Sequence, residues 1–107
     1  MSNVVFLHIP TALLGRWRSK DAYNSAEYEI VAEGSTIRIT AVDANDGEKF
    51  EVSRVEFDKE TIKFDTLMPS TGRIAHLVLN AIPGSQRATL ALTFTDTIEL
   101  TRLPPHE

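Results

Sequence analysis

From Gly15 onward the chain alternates apolar and polar residues in one short run after another, and each run stops at a turn former. A period of two is the geometry of a strand with one buried face, so this pattern restricts the chain to an antiparallel β fold. The run "EYEIVAE" puts Tyr28, Ile30 and Ala32 on one side and Glu27, Glu29 and Glu33 on the other. Gly34-Ser35 then forms a tight turn, and "TIRITAV" continues with Ile37, Ile39 and Ala41 against Arg38 and Thr40. Asp46-Gly47 inside "DANDG" marks the next reversal.

One run breaks the rule informatively. In "KFEVSRVEFD", Phe50 and Val52 share a parity that Val55 and Phe57 do not. A bulge near Ser53-Arg54 would return the whole set to one face and bend the strand. Farther on, "TIKFDTL" offers Ile62 and Phe64, and "RIAHLVLN" is apolar at both parities, which suits cover on two sides. "ATLALTF" aligns Ala88, Leu90, Leu92 and Phe94, and Ile98, Leu100 and Arg102 share a parity after Thr95-Asp96. The reading predicts about eight strands and no long helix. A meander of this kind removes its exposed edges by closing, so the expected fold is an all-β, up-and-down antiparallel barrel formed by residues 1–107 as a single domain. A sandwich of two packed sheets is the alternative.

Composition narrows the function classes. With no cysteine, the chain has neither a disulfide framework nor a thiolate nucleophile or metal ligand, which leans towards a reducing compartment. A net charge of −4 with scattered basic residues argues against nucleic acid as a partner. The run "VVFLHI" lacks a preceding basic residue, is interrupted by His8 and ends at Pro10. It makes a poor leader and is too short to span a membrane, so the expectation is a cytoplasmic protein with no membrane partner.

Trp17, the single tryptophan, sits in "LLGRWRS", inward if Arg16 and Arg18 face water. The same parity argument turns Arg102 inward beside Ile98 and Leu100. A buried arginine is costly without a partner, and an indole face would supply one. On these residues the chain resembles the calycin superfamily, the lipocalins and their relatives. They carry a Gly-x-Trp motif on the first strand, matched by Gly15 to Trp17, and a late arginine packed across that Trp, matched by Arg102 in "LTRL". The resemblance implies that Gly15, Trp17 and Arg102 close the barrel, and that a 3₁₀ turn in "PTALL" precedes the first strand. The chain departs from the family in lacking cysteine, and "LPPHE" excludes a flanking helix there.

Candidate chemistry is sparse. His8, His76 and His106 fall in separate regions without a second ligand at metal-binding spacing. Ser70, His76 and Asp65 could be drawn as a hydrolase triad, but no nucleophile elbow supports it. Glu27, Glu29 and Glu33 read as a solvated strand face, and no glycine-rich phosphate loop is present. The expectation is a non-catalytic binding protein without cofactor or metal. One version holds a small apolar ligand inside the barrel, on Trp17, Tyr28, Phe50, Phe64 and Phe94. The other works through loops. The chain is also similar to the staphostatins, inhibitors of cysteine proteases, and Gly84, Ser85, Gln86 and Arg87 in "GSQR" loosely match their reactive stretch, one hairpin early. A third expectation is a homodimer through the apolar strand from Arg73 to Leu79.

Overall fold

The computed structural model describes residues 9–19 and 25–105. His8 and His106 lie outside the described residues. A 3₁₀ turn, Thr11–Leu13, leads into seven strands: β1 (Gly15–Arg18), β2 (Ala26–Glu33), β3 (Thr36–Asp43), β4 (Glu51–Phe57), β5 (Thr61–Met68), β6 (Arg73–Ala81) and β7 (Ala88–Thr95). They form two antiparallel sheets, β1-β2-β3 and β4-β5-β6-β7, each ordered as the chain runs. A single bridge, Val42 to Lys49, links them where the chain passes from one sheet to the other.

The alternation does its expected work over β2, β3, β5 and β6, except at Ala32, expected inward but exposed next to the β2–β3 turn. Tyr28, Ile30, Ile37, Ile39, Ala41, Ile62, Phe64, Ala75, Leu77 and Leu79 are buried together with Leu13 of the 3₁₀ turn. That turn packs against β6. The hairpin between β2 and β3 pairs Glu33 with Thr36 across Gly34-Ser35, and Gly34 has φ +63°, a left-handed conformation that glycine adopts at little cost.

The bulge in β4 is where the parity break places it. Ser53 pairs with Asp65 and Glu56 with Lys63, so Arg54 and Val55 together face one residue of β5. Arg54 takes φ +54° to make the bend. The extra residue returns Val52, Val55 and Phe57 to the core side, where all three are half-buried.

The expected closed barrel of eight strands is corrected to seven strands in two sheets among the described residues. Among the described residues no ladder joins β7 to β1, and residues 96–105 form no strand. Turn chemistry accounts for the missing strand. A two-residue turn at Asp96-Thr97 would set Ile98 opposite Thr95 and send Ile98 and Leu100 to the outer face. A three-residue turn would restore their parity but would need a left-handed residue at its third position, which is the β-branched Ile98. Longer turns consume Ile98 and Leu100 themselves. Asp96 is instead held in line with β7 by Arg73, whose Nε donates to Oδ1 at 2.9 Å and whose Nη2 donates to Oδ2 at 3.3 Å. This pair adds one rung beyond the last ladder pair, Ile74 with Thr95.

Candidate functional site

The aromatic residues expected to line an interior divide into groups. Tyr28, Phe50 and Phe94 meet in one cleft at the end of the molecule where β2 and β6 begin and β3, β5 and β7 finish. Ala75, Leu77 and Leu92 supply its apolar wall, and Asp43, Asn45, Thr66 and Arg73 give it a polar side. Its volume is ≈ 150 Å³.

Phe64 lies behind this wall, edge-on to Tyr28 with ring centroids 5.9 Å apart and planes at 73°. Such T-shaped pairs add about 1 kcal/mol to simple burial and fix the orientation of both rings. Burial pushes the Tyr28 phenol from its ordinary value of 10.0 up to about 12, which moves its ionisation further into the alkaline range. At the rim, the Arg73 guanidinium lies 4.9 Å from the centroid of Phe94, held there by its two bonds to Asp96.

Trp17 belongs elsewhere. It pairs with Tyr28 across β1 and β2, is half-buried against the core, and donates from its indole Nε1 to the Leu13 carbonyl at 2.9 Å. That bond ties the 3₁₀ turn to the first strand. Gly15, with φ +120°, makes the entry possible because no other residue tolerates that backbone angle well. Arg16 and Arg18 both pair with Glu27 on the outer face. The Arg18 bond, with its charge, holds the Glu27 carboxyl below the usual carboxylate range. Arg102 is not brought to Trp17; it lies exposed after β7, in the segment that forms no strand. The cation–π contact among the described residues is Arg73 on Phe94 instead. The signal for it was the parity match of Arg73 with Asp96 across β6 and β7, which requires knowing the register.

The drawn triad does not assemble. His76 Nδ1 lies 2.6 Å from Asp65 Oδ1, as neighbours on adjacent strands, while Arg54 Nε stands 3.8 Å from Asp65 Oδ2. Ser70, however, is taken up by Glu48: its backbone N–H and its Oγ both donate to that carboxylate at 2.8 Å. Among the described residues no group of three or more His, Asp or Glu side chains could hold a metal ion.

The loop between β6 and β7 is exposed and internally bonded. Ile82 N–H donates to Arg87 O at 3.0 Å, Ser85 Oγ donates to Ile82 O at 3.0 Å, and Arg87 N–H donates to Ser85 Oγ at 3.1 Å. Gly84 makes the turn with φ +72°, and Gln86 and Arg87 face solvent. The strand from Arg73 to Leu79 lies inside its sheet, paired on both edges, so only its outer face, with Ile74 exposed and Val78 half-buried, could meet a second copy. No described helix is long and apolar enough to cross a membrane. Compared with protein-family models, curated proteins and solved structures, the chain matches none.

Proposed function

We propose that the protein is a non-catalytic binding protein whose ligand is a small, mainly apolar molecule carrying one polar group, held in the cleft of Tyr28, Phe50 and Phe94. The observation that carries this reading is the convergence of those three aromatics with Arg73 and Asp43 around ≈ 150 Å³. A space of about 150 Å³ takes one benzene-sized ring, well below the range of drug-sized pockets. Rings on three sides favour a planar ligand, and the polar side would fix its orientation. A ligand this small binds weakly, with Kd in about the millimolar to micromolar range.

Titration with phenol, followed by methyl and amide NMR shifts, tests it. Saturable shifts centred on Ala75, Leu77 and Leu92, abolished by Leu92→Trp in a variant with unchanged strand signals, support the reading. Scattered, linear shifts would defeat it. A second reading draws on the hydrogen bonds that stiffen the β6–β7 loop: a preshaped loop presenting Gln86 and Arg87 to a protein partner, as in a protease inhibitor. Inhibition of a papain-type cysteine protease, lost in Arg87→Glu, would favour it over the cleft.

A further inference from the structure

The residues after β7 form a strand-like segment without a sheet. Ile98 is 77% exposed, Leu100 88% and Leu103 80%, whereas the inner isoleucines, leucines and phenylalanine of β2, β3, β5 and β6 are buried. The alternation of Ile98, Leu100 and Arg102 against Glu99 and Thr101 is that of a half-buried strand, so the segment carries an apolar face with nothing beneath it. The same molecule offers the complementary surface. Among the described residues β7 pairs only with β6 and its other edge takes no strand, and its inner row is undercovered: Leu90 and Leu92 are half-buried and Phe94 is 45% exposed.

Within one chain, segment and edge meet only through a turn that forces a β-branched residue into the left-handed region, which is costly for such a side chain. Asp96, bonded twice to Arg73, is also held at the end of β7 rather than left free to form a turn. We propose that residues 98–103 pair with the open β7 edge of a second copy, forming a two-fold dimer in which each chain supplies the strand the other lacks. β7 and its continuation then act as one long strand that meets its own copy antiparallel about an axis near Thr97. Even-numbered residues stay on the inner face throughout. Leu100 of one copy therefore comes to rest beside Phe94 of the other, and Arg102 beside Leu92. An isologous contact of this kind is self-limiting, because each open edge is consumed by the other. A hinge too short to fold back is a recognised route to strand exchange. This dimer uses a surface distinct from the outer face of β6; it needs no ligand in the cleft, although it meets the cleft's wall at Leu92 and Phe94.

The test combines light scattering after size exclusion with amide hydrogen exchange on the full chain. The expected result is a dimer in which amides 98–103 are protected. Leu100→Asp should weaken dimerisation by at least about a hundredfold, since a two-fold dimer loses two buried leucines, while far-ultraviolet circular dichroism keeps the β signal. A second variant, with Gly-Asn-Gly inserted between Thr97 and Ile98, lengthens the hinge and should convert dimer to monomer with the same amides still protected. Three results would each overturn the proposal: a wild-type monomer with exposed amides, a wild-type monomer with protected amides, or a dimer indifferent to Leu100→Asp.

Discussion

Ile37 and Ile39 on β3, and Ile98 and Leu100 after β7, belong to runs with the same apolar–polar alternation. The first pair is 6% and 8% exposed, the second 77% and 88%. Hydrophobicity and period do not separate them; what precedes each run does. β3 follows Gly34, whose left-handed backbone folds the chain back in the register that keeps isoleucines inward. The later run follows Asp96-Thr97, where a turn that preserves parity has no glycine and would force a β-branched residue into the left-handed region. A strand is therefore specified jointly by its own pattern and by the turn that delivers it.

The largest expected consequence of that contrast is in stability. Ile39→Ala removes buried methylene groups from between the two sheets and should cost about 2–4 kcal/mol in chemical denaturation. Leu100→Ala, measured at a concentration low enough to keep copies apart, should cost less than about 0.5 kcal/mol, as an exposed truncation does. Equal losses for the two would mean that the segment after β7 is packed within its own chain.

Tyr28 sharpens the same comparison from the buried side. Its folded pKa of about 12 stands above the ordinary value of 10.0. The native state therefore holds its proton where the unfolded chain would release it. The stabilisation is complete below pH 10 and declines as pH rises from there to about 12, by about 2–3 kcal/mol in all. Tyr28→Phe keeps the ring and has no proton to lose, so its stability should be flatter over that interval. A parallel fall in both proteins would assign the alkaline loss to other groups.

Much of the fold was legible because it depends on local rules. The inward set of β2, β3, β5 and β6, the β4 bulge at Ser53-Arg54 and the 3₁₀ turn before Gly15 all follow from parity, turn residues or a short motif. What was not legible depends on register between distant strands. Arg102 and Arg73 lie on inward parities alike, yet only Arg73 meets an aromatic ring, because β6 and β7 pair so that Asp96 falls opposite it. The cleft is a similar case: Tyr28, Phe50 and Phe94 converge through sheet order, whereas Phe64, of the same parity class, ends up behind them.

Two of the left-handed positions, Gly34 in the β2–β3 turn and Arg54 in the β4 bulge, give smaller effects, and they should carry opposite signs. At Gly34, φ is +63° and no atom lies within 4 Å of where a Cβ would sit, so Gly34→Ala meets only the backbone penalty. That penalty is about 1–2 kcal/mol, and the unfolded-state freedom removed with the glycine offsets about 0.5–1 kcal/mol of it, leaving a net loss of about 1 kcal/mol. Arg54 already bears the backbone penalty, at φ +54°, with only a 3.8 Å exposed ion pair to Asp65 in return. Arg54→Gly relieves the strain but adds unfolded-state freedom worth about 0.5–1 kcal/mol, leaving a net gain of up to about 1 kcal/mol. Denaturation midpoints moving apart, down for Gly34→Ala and up for Arg54→Gly, would show that turn and bulge are both governed by backbone chirality. A loss at Arg54 would instead mean that the guanidinium contributes more through Asp65 than an exposed pair should, and that the outer row of Arg54, Asp65 and His76 is itself part of what holds β4 on its sheet.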